Sequence, residues 1–193
     1  MTQSSEPSIA VLFHSGYGHT AAVAQHVANG AGAGARLVTI DAEGNLTDED
    51  WQALDAADAI VFGAPTYMGN VSWQFKKVAD ATSGRWMAGA WKDKIFGGFT
   101  NSASPSGDKQ VSLIAMQTLA SQHGGIWISL GIPPANQKAS SHDDLNHLGG
   151  SVGAMIRSPA DAAVEEIFTG DLATAETYGR RIADFAERLR PAA

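Results

Sequence analysis

Gly16, Gly18 and Ala21 form a Gly-x-Gly-x-x-Ala spacing between the apolar run "SIAVLF" (8–13) and a helical pattern carried by Val23, Val27 and Ala31. A strand that turns through glycines into a helix gathers backbone N–H groups at the helix's positive end, a natural place for a phosphate. A nucleotide triphosphate asks for Lys beside Ser or Thr at the helix start. That place reads Gly18-His19-Thr20, so this reading fails. The pyrophosphate of NAD fits the glycine spacing, and Asp41 closes the second apolar run where a ribose-binding acid would stand. A terminal phosphomonoester is a compact dianion, suited to the hydroxyls of Ser15 and Thr20 and to close approach at Gly18. A bare strand–helix turn without ligand is the plain alternative. The turn alone leaves these last three open.

Two further loops bear on the choice. "GAPTYMGNVSWQF" (63–75) places Tyr67, Met68 and Trp73 where a surface loop is ordinarily polar, with Pro65 and Gly69 shaping the chain. A flat ring system would use such apolar walls; packing of the aromatics onto the core is the plainer account. "FTNSASPSGD" (99–108) offers hydroxyl and amide groups without charge, fit for a ring edge and a polyol chain, or simply a polar loop capped by Asp108.

The elements that must position these loops are strands and helices in alternation. "SIAVLF" (8–13), "RLVTI" (36–40), "AIVFGA" (59–64), "KIFGGFT" (94–100) and "GIWISL" (125–130) read as buried strands, continuous in apolar character as parallel sheets require. Helical spacing marks 72–81 (Phe75, Val78, Ala79) and 108–122 (Val111, Ala115, Leu119). It is clearest in 171–189, where Leu172, Ala175, Tyr178, Ile182, Phe185 and Leu189 form one stripe that Thr169 or Asp171 would cap. Alternation of this kind gives a doubly wound α/β sheet with right-handed crossovers. Five strands and about five helices fit the flavodoxin-like order: a three-layer sandwich, a five-stranded parallel sheet with helices on both faces, one domain over 1–193. Sites in such sheets lie beyond the strands' carboxyl ends, where the three loops converge. Segment 131–158, rich in Gly, Ser and Pro, has no sustained period; it is expected to emerge at that same edge and cover the site, within one subunit or from a neighbour, the plain alternative being a surface excursion that only packs the last helix. Its His147 is then a polar group within reach of a substrate oxygen. His142, Asp143, Asp144 and His147 lack strict ligand spacing, so no metal is assigned to them.

Composition narrows the classes. With 193 residues, 44% hydrophobic and 17% charged, the chain is an ordinary globular one. A net charge of −7 and no Lys/Arg cluster speak against nucleic acid. The absence of cysteine excludes thiolate chemistry and Cys-ligated metal. No run approaches a membrane span and no signal-peptide pattern opens the chain, so a cytoplasmic protein is expected.

"SGYGHT" (15–20), "FGAPTYMGNVSWQF" (62–75), "TSGRW" (82–86), "TNSASPSG" (100–107) and the region from "TLASQHGG" to "LGGSVGAM" (118–155) together resemble flavodoxin-like FMN proteins, specifically NAD(P)H:quinone oxidoreductases of the WrbA type. The resemblance covers nearly the whole chain. It implies FMN as cofactor and NADH or NADPH as donor, with two electrons passed to a quinone in a ping-pong cycle. It implies Ser15, Gly16, Tyr17, Gly18, His19 and Thr20 at the phosphate. Pro65, Thr66, Tyr67, Met68, Gly69 and Asn70 fall beside the ring, and Asn101, Ser102, Ala103, Ser104, Pro105 and Ser106 along its edge. Trp86 and Tyr17 fall at the substrate, and a homo-oligomer, dimer or tetramer, is implied. No catalytic acid or base is called for. The chain departs from the family in having Tyr67-Met68 where an Arg-Phe pair is frequent, and Ala103, Ser104 and Pro105 where glycines are common. A flavin-proximal histidine of the family falls around Ser121 to His123. The alternative is a non-catalytic flavodoxin that carries electrons to protein partners.

Overall fold

Strand β1 (Ile9–His14) buries all six of its residues. It alternates Ile9, Val11 and Phe13 towards one core with Ala10 and Leu12 towards another, the period of two that a strand imposes. That double burial makes it an interior strand of the sheet in the computed structural model, which describes residues 6–190. The chain continues through α1 (His19–Ala31), β2 (Ala35–Ile40), α2 (Asp48–Ala56), β3 (Ala59–Tyr67), β4 (Asn70–Val71), α3 (Trp73–Ala81), α4 (Ser83–Met87), β5 (Ile95–Ser102) and α5 (Lys109–Gln122). It ends with β6 (Ile126–Trp127), β7 (Ala154–Arg157) and α6 (Thr169–Leu189).

The sheet runs β2-β1-β3-β5-β6, all pairs parallel, with Val11 opposite both Leu37 and Val61. Helices α1 and α6 cover one face through Val23, Val27, Tyr178 and Ile182; α2, α3 and α5 cover the other through Leu54, Phe75, Val78, Leu113 and Met116. This is the expected flavodoxin-like three-layer sandwich. Helix α6 sits unusually close to β5. A Cβ at Gly97 would lie 2.6 Å from Ile182 and 2.7 Å from the Tyr178 hydroxyl, so the glycine pair in "KIFGGFT" is a packing device.

Three details differ from the sequence reading. The loop after the third apolar run is a β-hairpin. β3 extends through Tyr67 and pairs antiparallel with β4, Thr66 opposite Val71 and Tyr67 opposite Asn70, around a two-residue turn in which Met68 (φ 48°) and Gly69 (φ 80°) are both left-handed. Thr169 and Asp171 do not cap α6: the Thr169 hydroxyl donates to Asp143, and Asp171 accepts the Arg157 N–H. Asp108 takes the N-cap place of α5 with no side-chain cap bond.

The fifth strand is split. β6 pairs with Ile95 and Phe96, and β7 takes up the same edge at Phe99 to Ser102. The intervening chain leaves in mid-strand instead of at the carboxyl edge. It returns on itself through Asn146, buried at φ 52°, whose amide donates to the carbonyls of Ile132 and Gly150 while its N–H reaches the Thr174 hydroxyl. A β-strand pattern cannot show that the second half follows after 26 intervening residues, so the segment 131–158 reaches the carboxyl edge only at its end, where Ser158 lies beside Asn101.

Candidate cofactor site

β1, β3, β5 and β7 end together, and between their ends lies a cavity of about 710 Å³. That lies within the range of pockets that bury small ligands. The first loop contributes Tyr17, His19 and Thr20, the hairpin Pro65, Thr66 and Tyr67, and the third loop Asn101, Ser102 and Ala103. These nine residues from three loops are thus brought together. Ser158, the last residue of the segment expected at this edge, forms a fourth wall with Pro159, Ala160 and Ala162, which sequence reasoning missed; the continuation of β7 along β5 puts them there.

At the first loop, the Ser15 hydroxyl oxygen accepts the N–H groups of Gly18 (3.1 Å) and Ala21 (3.2 Å), which leaves its proton free to donate. Gly18 is left-handed at φ 91°, a conformation glycine adopts without penalty. No acidic residue occupies the first turn of α1. Among the described residues, no acceptor meets the N–H of His19 or Thr20. Unpaired helix N–H groups, a free hydroxyl and no competing carboxylate form a donor set for a dianion. The residues present fit a flavin mononucleotide phosphate. Thr20 is 2% exposed, and its hydroxyl donates to Asn101 Oδ1 at 2.5 Å; Asn101 in turn donates to Ser158 Oγ at 2.8 Å. The His19 ring N–H donates to the Ala162 carbonyl at 3.1 Å.

At the mouth, Tyr17 and Tyr67 meet edge to face, ring centroids 6.4 Å apart. Tyr17 is 81% exposed and Met68 fully so. The Tyr67 hydroxyl lies over Gly16, where a Cβ would come within 2.5 Å of it. Burial first, and then Tyr17, push the Tyr67 phenol above its ordinary range, so it stays a proton donor. Below the cavity, the Thr66 hydroxyl is engaged with those of Thr100 and Ser112, both at 2.8 Å, so it points into the core and not to the ring side.

Other expected residues lie elsewhere. Met68, Gly69 and Asn70 form the hairpin tip and Ser104, Pro105 and Ser106 the outer part of the third loop, outside the cavity lining. Trp86 sits on α4, which Arg85 pins through a two-point ion pair with Asp55 (2.8 and 2.9 Å). It lines a second cavity of about 530 Å³ with Phe75, Leu119 and His123. His123 is buried against Trp91 and bonded to Thr82, and burial pulls its pKa down. It follows the C-terminus of α5, the helix end remote from the strands' carboxyl edge, about 20 Å from the helix start. His147 also lies outside this chain's cavity lining. It borders a groove on the outer side of the third loop, beside Pro105, Ser106 and Met155, with its ring 4.4 Å from that of His142. The excursion it belongs to packs on the start of α6 and does not cover the cavity.

Asp41, the one acid on which an NAD-type reading rested, is engaged in a turn. Its carboxylate accepts the Asn45 N–H at 2.6 Å, which with further bonds from Asn45 holds its pKa low. Comparison with known proteins decides between the flavin and NAD readings. Residues 14–139 match the family described as NADPH-dependent FMN reductase.

The chain belongs to that family.

A flavodoxin of Pseudomonas aeruginosa, FldP, is 60% identical over 93% of this chain and 96% of its own length. An NAD(P)H dehydrogenase (quinone) of Archaeoglobus fulgidus is 32% identical over 94% of this chain and 98% of its own. Among solved structures, a flavodoxin, WrbA-like protein from Agrobacterium tumefaciens superposes with a TM-score of 0.79 at 48% identity, covering 95% of this chain and 99% of that one. This member of the NADPH-dependent FMN reductase family is therefore an FMN oxidoreductase with NAD(P)H as donor. Among the described residues no helix is long and apolar enough to cross a membrane.

Proposed function

We propose that the chain is an FMN-dependent NAD(P)H:quinone oxidoreductase that works by a two-electron ping-pong cycle. The observation that carries this reading is the aromatic mouth: Tyr17 and Tyr67 stand exposed over a cavity whose floor is uncharged. When bound there, FMN would supply the redox chemistry, two-electron exchange between NAD(P)H and a quinone. The protein's part is binding and orientation. The start of α1 and the Ser15 hydroxyl hold the phosphate. The Thr20–Asn101–Ser158 chain fixes the spacing between the first and third loops, and Tyr17 and Tyr67 bound a slot for planar substrates. No acid–base pair is required in this scheme.

Trp86 lines the second cavity and not the first, and a second copy of the chain would present it to the substrate. We include that in the proposal as a homo-oligomer, dimer or tetramer.

A second reading, electron carriage to protein partners, is favoured by the 60% identity to a protein named flavodoxin and by the fully exposed Met68 beside the mouth. Anaerobic mixing of the FMN-loaded protein with NADH or NADPH, followed by a benzoquinone, separates the two. Bleaching of the flavin by the nucleotide and rapid recovery with quinone is expected. Failure of both nucleotides to bleach it would leave the carrier reading.

A further inference from the structure

The third loop departs from a glycine-rich pattern, carrying Ala103, Ser104 and Pro105, and its carbonyl groups show what replaces the glycines. Ser102 O accepts the Ser158 N–H at 3.2 Å, and Ala103 O accepts from Arg157 Nε at 3.2 Å. Ser104 O and Pro105 O accept from Lys109 Nζ at 2.5 and 3.4 Å, and the same ammonium donates to Ser102 Oγ at 2.7 Å. Lys109 is 0% exposed. Desolvating an ammonium is costly, and an apolar side chain of the same length would fill the space without that cost. A lysine kept in such a place and spent wholly on one loop serves that loop.

Peptide geometry gives the consequence. In a trans peptide the carbonyl and the following N–H point in opposite directions. With Ala103 O and Pro105 O drawn towards the two cations, the N–H groups of Ser104 and Ser106 face away from them. Neither has an acceptor among the described residues. We propose that Lys109 and Arg157 are positioning residues for the cofactor. By holding the loop's carbonyls they present the Ser104 and Ser106 N–H groups to the polar edge of the flavin ring, and Lys109 does this fully only while charged. The inference rests on the reading of 101–106 as the ring-edge loop, with the ring reaching past the cavity lining, which ends at Ala103, to the exposed Ser104 and Ser106.

The surroundings of Lys109 make its charge adjustable. Burial lowers its pKa to about 8, with Asp171 opposing the shift and Arg157 adding to it. Asp171, from α6, is itself 2% exposed and raised by burial; His147 and His142 of the excursion face it. Once deprotonated, the amine has two hydrogens for three oxygens. The window from about pH 7 to 9 lies above the second ionisation of the FMN phosphate, near 6, so the loss falls on the protein.

The test is fluorescence titration of apoprotein with FMN at about pH 7 and about pH 9. For the wild type, Kd is expected to rise about fivefold or more across the window. Lys109→Met is expected to bind about tenfold more weakly at the lower pH and to show no rise. Arg157→Met, at a partly exposed position, is expected to bind several-fold more weakly at both while keeping the rise; it also serves if Lys109→Met fails to fold. Repeating the series with riboflavin removes phosphate attraction, and the same pattern is expected. A wild-type Kd that is flat across the window, or a Lys109→Met profile that follows the wild type, overturns the proposal. A wild type that binds no FMN at either pH overturns the site reading itself.

Discussion

The Thr20 hydroxyl and the Asn101 carboxamide, 81 residues apart in sequence, share a buried hydrogen bond of 2.5 Å that ties the first loop to the third. Because the hydroxyl proton is committed to Asn101, Thr20 would serve a bound phosphate by fixing the loop and not as a free donor. Thr20→Val keeps the shape and removes the bond. FMN affinity is expected to fall about tenfold, the worth of one buried hydrogen bond. In a double-mutant cycle with Asn101→Ala, measured by calorimetry, the two losses are expected to be strongly non-additive.

The first loop ends in a helix start at which the His19 ring is fastened to the Ala162 carbonyl, and its free donors suit a terminal phosphate. Flavin extracted from the purified protein and chromatographed is expected to be FMN at one per chain. FAD at full occupancy would contradict the assignment of Ser15 to a terminal phosphate.

Tyr178 is fully buried; its hydroxyl donates to Ile128 O at 2.5 Å and accepts the Gly98 N–H at 3.2 Å. Tyr178→Phe leaves two buried backbone groups unpaired, and urea unfolding is expected to show a loss of about 2 kcal/mol or more. FMN affinity of the folded fraction is expected to remain at the wild-type value, since the bond lies beneath the sheet edge.

His14 and His123 are both buried, and burial holds both below the ordinary 6.5. Unfolded, they take up protons that the native state refuses, so the unfolded state binds more protons and stability falls as pH drops below about 6.5. The urea midpoint is expected to decrease between about pH 7 and pH 5. His123→Gln is expected to flatten that slope; an unchanged slope would place the acid sensitivity elsewhere.

His147→Ala is expected to leave both FMN affinity and quinone KM within about twofold of wild type, because the ring packs on His142 outside the cavity. Steady-state kinetics with a benzoquinone checks this.

The parallel sheet was legible because β1, β3 and β5 are buried on both faces, and such strands write themselves as unbroken apolar runs. The glycine turn at 15–20 was legible because a left-handed Gly18 at a helix start has few substitutes. Helix α2 went unread although it carries a capping box, Thr47 with Asp50, because it has a single fully buried side chain, Leu54, and hence almost no period. The hairpin of β4 is only two residues long, too short for alternation to register. The wall at 158–162 depends on a strand pairing between residues some 55 positions apart, and Lys109 reads in sequence as a solvated helix-start lysine. For the wall and for Lys109 the missing information was a contact and not a residue type.

The split strand makes the excursion a cassette. Ile128 N–H still pairs with Phe96 O, and Gly153 rests against Gly98 O, so the two ends of the insertion meet side by side on β5. Leu130 N–H closes its neck on Ser151 O. Chain can therefore be lengthened, shortened or exchanged between these points without moving the strand ends that frame the cavity. The same scaffold could acquire a new outer surface, and with it new associations, while its redox centre stayed as it was.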